Sequence, residues 1–467
     1  MAPSPAAASA ASSMPVALRA RTAGKAKLVV TELEGRPCVL VTISREPDPD
    51  LGAGPASTAL SPSDGETVAA AADEAFARRL PLVLFVSTNG INPADGAGAL
   101  HGWGQAARAM VRNSGIVPFI AVTTGPLTAG LSLVLGLADI VVMTQDSYSF
   151  VSGPRMVEQF TGIGTDRHDL GGAGVHERIS GVASLVVADE AEATNTVGEL
   201  LSLLPSHTDE LAPLSATTDR IDRSTPGAYA VLPDTPTGSY DVRDIITTVV
   251  DDDYLLELRP TWAANLVTAF STVGGRPVGI VANQPQTVAG TLDIAASQKG
   301  ARFVAMCDAF NLPLVTFVDT SGFYPGKDLE WRGMIRYGAQ LAFAYARATV
   351  PRVNITLRKS YGGAYIVMDS KHMGNDVALA WPSAEIAVMG AKGAVEILHR
   401  RASAEERAEL EIAYEDRLLN PYVAAERGSI EQVIDPASTR REVGAALEML
   451  ATKRERLPRR RHDNSPL

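Results

Sequence analysis

Short apolar runs punctuate the chain: PLVLFV at 81–86, PFIAV at 118–122, ADIVVM at 138–143, PVGIVAN at 277–283, RFVAM at 302–306 and VNITL at 353–357. Each has the length of a strand buried on both faces, so each is predicted as β. Between them lie stretches with helical spacing, such as GMIRYGAQLAFAYARAT at 333–349. Strand and helix alternating at this interval predict an α/β architecture with largely parallel crossovers. Near the C-terminus, Ser403 and Glu406 form a capping-box pattern ahead of a charged helix over 403–420, whose apolar side carries Ala408, Leu410, Ile412 and Leu418.

The pattern repeats. PLVLFVSTNG at 81–90 matches PLVTFVDTSG at 313–322, an offset of 232. Val117-Pro118 opens a run ending at Ala129-Gly130, and Val350-Pro351 opens one ending at Gly362-Gly363, an offset of 233. FVSGP at 150–154 and AVMGA at 387–391 follow in the same order, and GRP at 35–37 has a partner at 275–277. Such long-period similarity predicts two similar domains, assigned here to 25–220 and 221–467. A segment rich in Pro, Thr, Asp and Ser, 206–247, reads as the linker between them. Residues 1–24 read as a disordered Ala/Ser/Pro tail, with only a faint similarity to an organellar transit peptide.

Composition narrows the function classes. Of 467 residues 46% are apolar and 20% charged, the balance of a globular protein. The formal net charge of −11 gives no general attraction to nucleic acid or to an anionic membrane. Cys38 and Cys307 sit in apolar runs and read as reduced core residues, which fits a cytoplasmic protein. No apolar stretch reaches the roughly 18 to 20 residues that span a bilayer. The chain lacks a Gly-x-Ser-x-Gly elbow, a phosphate loop, His-Glu-x-x-His and paired cysteines. No metal site is expected. His176 and His372 lie near glycine-rich turns and read first as hydrogen-bonded structural residues.

The chemistry that remains belongs to the backbone. Thr128-Ala129-Gly130 and Tyr361-Gly362-Gly363-Ala364 both stand where a strand ends and a helix begins. Unpaired N–H groups at such a turn, aided by the helix dipole, can hold a developing oxyanion. Tight turns or close packing would use the same small residues. Their recurrence in both halves favours a reaction with two carbonyl-derived anions.

Residues 361–397, YGGAYIVMDSKHMGNDVALAWPSAEIAVMGAKGAVEI, closely resemble the carboxyltransferase β subunit of biotin-dependent acyl-CoA carboxylases of the propionyl-CoA and acetyl-CoA class. The resemblance runs through 265–285, 307–323, 418–434 and 452–467, and more weakly through 114–122, 150–154, 170–183 and 200–205. It implies a duplicated crotonase-like fold of the ClpP/crotonase superfamily, assembled as a hexameric trimer of dimers. It also implies carboxylate transfer from carboxybiotin, carried by a biotin carboxylase/biotin carboxyl carrier partner, to an enolisable acyl-CoA or related acyl acceptor, first of all a CoA thioester. By position, Ala129 and Gly130 would hold the acceptor anion, and Gly363 and Ala364 the biotin side. Asn89, Gly90, Gly362, Tyr365 and Ile366 would contact substrate. Where such proteins read Cys-Ala-Gly-Gly-Ala, this chain reads Leu127-Thr128-Ala129-Gly130-Leu131; where they read Asp-Ser-Gly-Gly-Ala-Arg-Ile-Gln-Glu-Gly, it has the segment 87–96, STNGINPADG. Ile366 replaces a common Asp and predicts a more apolar acceptor wall. The altered first half keeps two other readings open: a divergent homologue acting on a non-CoA acceptor or as a decarboxylase, and a catalytically reduced assembly subunit.

Overall fold

The computed structural model describes residues 14–15, 24–44, 59–235, 238–453 and 455–466. The chain divides into two compact units, the first ending at Ala212 and the second beginning at Pro213.

In the first unit β1 (Ala26–Leu33) and β2 (Arg36–Ile43) form an antiparallel hairpin. Parallel strands then add in order: β3 (Leu82–Thr88), β4 (Phe119–Thr128), β5 (Ile140–Thr144) and β7 (Leu185–Val187), while β6 (Tyr148–Phe150) pairs with the far end of β4. Every residue of β3 is buried, which is why its run is continuous rather than alternating. Two helices precede β3 and β4, α1 (Pro62–Arg78) and α2 (Ala97–Asn113). They pack on the sheet through Val68, Ala71, Ala72, Ala75, Ala106 and Met110. A Cβ added at Gly65 would lie 2.3 Å from the Gly102 backbone, so these two glycines let the helices meet backbone to backbone. Helix α3 (Glu190–Leu203) closes the unit.

The second unit repeats the plan. After α4 (Val242–Val249) come the antiparallel pair β8 (Leu266–Val273) and β9 (Arg276–Asn283), then α5 (Ile294–Ala309), β10 (Leu314–Thr320), α6 (Met334–Arg347), β11 (Arg352–Tyr361) and β12 (Val377–Ala380). Strand β13 (Glu385–Ala387) pairs with the end of β11, β14 (Gln432–Val433) takes the edge, and α7 (Thr439–Met449) comes last. Smaller devices recur too. The Asp139 carboxylate accepts the N–H of Phe119, the first residue of β4, and Asp376 accepts that of Arg352, the first of β11. The helix Ala404–Leu418 carries the expected Ser403–Glu406 capping box but buries no side chain within its unit. Cys38 and Cys307 are free and buried.

Two sequence expectations change. RFVAM is not a strand: residues 302–306 lie within α5, with Phe303, Val304 and Met306 on its buried side. An apolar run this short is compatible with either element, and here it continues a helix of 16 residues. Nor is 206–247 a free linker. The Ser215 N–H donates to Gly275 O, and the Arg223 guanidinium donates to Thr248 O and Val250 O. Buried Arg440 donates to the carbonyls of Asp219 and Arg220 and pairs with Asp251 at 2.6 Å. Residues 213–220, assigned by sequence to the first domain, are thus bonded into the second unit. Helix α4 buries Val242, Ile245, Ile246 and Val249, a four-residue stripe within eight positions that the polar flank conceals. Of the tail 1–24, only Met14, Pro15 and Gly24 are described, and Met14–Pro15 pairs antiparallel with Val29 and Val30 of β1. The rest of the tail and residues 45–58 lie outside the described residues.

Candidate functional site

Two strand-to-helix turns, one per unit, share one geometry. β3 and β4 pair evenly as far as Val86 and Thr123, after which the register shifts and Thr88 faces Leu127. β10 and β11 shift in the same place, between Val318 and Thr320, so that Thr320 faces Ser360. Irregularities of this kind bend a strand and re-aim the residues beyond the bend. The strand ends then pair elsewhere, Thr128 with Phe150 and Tyr361 with Ala387. A side chain below each end holds a glycine beside it. The Thr88 hydroxyl donates to Gly90 O at 3.2 Å and accepts the Gly90 N–H at 3.3 Å, and Thr320 makes both bonds to Gly322 at 3.3 Å.

The next residue turns left-handed in both units: Ala129 at φ 61° and Gly362 at φ 59°. This hinge starts a helical turn in which Gly130 and Leu131 of the first unit correspond to Gly363 and Ala364 of the second. The first N–H groups of a helical turn have no intrahelical acceptor and carry partial positive charge. Gly130 and Gly363 are exposed, while Leu131 and Ala364 anchor the turn in the core. The geometry therefore places Ala129 at the hinge and makes Leu131 the positional counterpart of Ala364. The offset of 233 between the repeats pointed to it.

Other expected residues cluster around these turns. Gly90, at φ 105°, lies with its missing Cβ 3.4 Å from Thr128 O, and half-buried Asn89 precedes it. Tyr365 is half-buried and lines a polar cavity of about 10 Å³ with Ser360, Ser370 and Ser429, room for one water. Burial raises the pKa of its phenol. Ile366 is 48% exposed on the surface of its unit, as is its counterpart Leu133 at 55%. Exposed apolar residues also match across the repeats just beyond β6 and β13, Val151 with Val388 and Phe160 with Ile397. His176 bonds Ser180 Oγ at 2.7 Å and Ser149 O at 2.8 Å, a structural role, and His372 is exposed.

Beneath the turns the units differ. In the second, the buried carboxylate of Asp319 accepts from Tyr240 Oη at 2.9 Å, Arg358 Nε at 3.0 Å and the Lys359 N–H at 3.1 Å. Arg358 also donates to Gly238 O at 2.8 Å. Burial raises the Asp319 pKa against the opposing pull of Arg358. Tyr361 bonds the Glu385 carboxylate, and burial together with that bond pushes its phenol up. In the first unit the places of Asp319 and Arg358 hold Ser87 and Gly125, and a Cβ on Gly125 would lie 2.4 Å from Ser87 Oγ. The second turn stands on a buried ion pair and the first on a small hydroxyl.

Among the described residues no helix is long and apolar enough to cross a membrane. The carboxyl transferase domain family matches residues 55–465. A propionyl-CoA carboxylase beta chain of Saccharopolyspora erythraea is 44% identical over 422 residues, covering 86% of this chain and 77% of that protein. The methylmalonyl-CoA carboxyltransferase 12S subunit of Propionibacterium freudenreichii subsp. shermanii is 42% identical over 419 residues, 88% of this chain and 80% of its own. A transcarboxylase 12S crystal structure, described as a hexamer assembly with methylmalonyl-coenzyme A and methylmalonic acid bound, superposes with a TM-score of 0.91 at 39% identity, over 95% of this chain and 85% of that one.

Proposed function

This chain belongs to the carboxyl transferase domain family, and from that premise we propose how its two turns divide the work of moving a carboxylate between biotin and an acyl-CoA. The duplicated crotonase-like fold presents the same backbone device twice, and that repetition carries the reading. The second turn fits a ureido carbonyl: Gly363 is exposed without a side chain, and a Cβ there would come within 3.2 Å of the Phe323 ring. The N–H groups of Gly363 and Ala364 would hold that carbonyl oxygen. Biotin, when bound, supplies the carboxylate and a ureido nitrogen able to take the acceptor's α-proton. In the first turn, Gly130 and Leu131 N–H groups hold the thioester oxygen of the acyl-CoA as it gains negative charge. Fixed donors of this kind need no reorganisation during the reaction.

By analogy with the 12S transcarboxylase we further propose a hexamer. The matched exposed residues Val151, Phe160, Val388 and Ile397 are apolar surface suited to contacts between copies. A biotin-carrying subunit completes the enzyme, which we place in the cytoplasm. Light scattering of the purified chain tests the assembly, and a monodisperse monomer that transfers carboxylate refutes it. The catalytic reading is tested by Gly363→Val, assayed for carboxyl transfer with the biotinylated partner present. Loss of one oxyanion donor costs about a hundred- to a thousand-fold in kcat. A folded Gly363→Val protein with unchanged turnover would show that this turn holds no reacting oxygen.

A further inference from the structure

An apolar cavity of about 30 Å³ lies directly beneath the first turn, between the sheet and helices α1 and α2. Its lining includes Leu60, Ile91, Leu127 and Leu131 from the strand ends and loops about the turn, and Trp103 and Ala106 from α2. A water needs only about 10–15 Å³ of such space but two or more polar partners. This lining is almost wholly apolar, so the space suits about two methylene-sized groups rather than solvent.

The second unit shows the same place filled. Leu292 and Phe323 form the bridge that Leu60 and Ile91 form in the first unit, so Phe323 is the counterpart of Ile91. The Phe323 ring packs between the second turn and α6: missing Cβ atoms at Gly363 and at Gly338 of α6 would each sit 3.2 Å from it. At Gly130 a Cβ would meet nothing within 4 Å. The space beneath one turn is thus filled by an aromatic ring, and beneath the other lies a small apolar chamber.

We infer that this chamber receives the distal carbons of the acceptor's acyl group, so that the enzyme prefers straight acyl chains about two carbons longer than propionyl. The inference rests on the reading that the first turn holds the thioester oxygen. Leu131, whose N–H is one of the two donors in that reading, lines the chamber together with Ile91. Each methylene moved out of water gains about fourfold in affinity, so two gain about fifteenfold, and a chamber of this size gives no further gain. Selectivity should therefore rise and then level off.

The test is a titration of the full chain, in its assembled state, with acetyl-, propionyl-, pentanoyl- and octanoyl-CoA, read by calorimetry and by the fluorescence of Trp103. Pentanoyl-CoA should bind about fifteenfold more tightly than propionyl-CoA, with octanoyl-CoA no better. Ala106→Val adds two methyl groups to the chamber wall and Ile91→Phe copies the plug of the second unit; either should abolish the pentanoyl advantage, and two variants guard against misfolding in one. Thioesters that bind without regard to chain length, or an advantage that survives both substitutions, would overturn the chamber while leaving the carboxyltransferase reading intact. If no CoA ester binds, with or without the biotinylated partner, both readings fall.

Discussion

The two turns share a left-handed hinge with φ alike to within a few degrees, yet rest on opposite kinds of support. Under the second, Tyr240, Asp319 and Arg358 form a buried charged cluster; under the first, Ser87 and Gly125 leave close-packed small groups. The left-handed hinge has been held constant while the material below it changed, although the first turn goes on as a 3-10 helix and the second as an α-helix. The turn is therefore specified by strand register and by the threonine–glycine bonds present in both units, and the charged cluster adds rigidity peculiar to the second.

The sharpest way to break this contrast is to remove one partner of the buried pair. Arg358→Met strands the Asp319 carboxylate and should cost about 3–5 kcal/mol in urea denaturation, whereas Ser87→Ala should cost no more than about 1 kcal/mol. Equal losses would mean that the cluster contributes nothing special. Next come the hinges. Gly362→Ala puts a side chain into the left-handed region, at about 1–2 kcal/mol, and its Cβ would also approach Val388 O to 3.1 Å. Ala129→Gly should do the reverse and stabilise the first unit by up to about 1 kcal/mol. If thermal melts move in the same direction for both, the hinges are not equivalent.

The smallest effect concerns acid. The Arg223 hydrogen bond, opposed by burial, holds the Asp219 carboxyl below its usual range. A carboxylate with a depressed folded-state pKa contributes stability that is present above its unfolded value of about 3.9 and is lost as pH falls through the folded one. The segment joining 213–223 to α7 should therefore loosen at low pH, seen as an early change at buried Trp381 before Trp103 responds. Simultaneous changes would argue against a local clasp.

Much of this was legible in the chain. The strands β3, β4, β10 and β11 announce themselves because burial on both faces forces unbroken apolar runs, and the near-constant offset between repeats pairs the two turns. The features that escaped each have a physical reason. A backbone N–H carries no side-chain signature, so nothing in the bulk of Leu131 marks it as the counterpart of Ala364. Nothing in an alanine marks a left-handed φ. Helix α4 is too short for its period to stand out from the polar residues around it, and 302–306 reads equally well as either element until the rest of α5 is counted.

The close meeting of α1 and α2 at Gly65 and Gly102 governs how this enzyme can be altered. The chamber below the first turn is bounded by those two helices, and the distance between them is fixed by the absence of two β-carbons. A library aimed only at the lining residues would change the chamber's texture but not its width. Pairing each lining substitution with Gly102→Ala would move α2 outward as a rigid wedge, which makes this buried crossing a coarse adjustment for acyl-chain length and the lining a fine one.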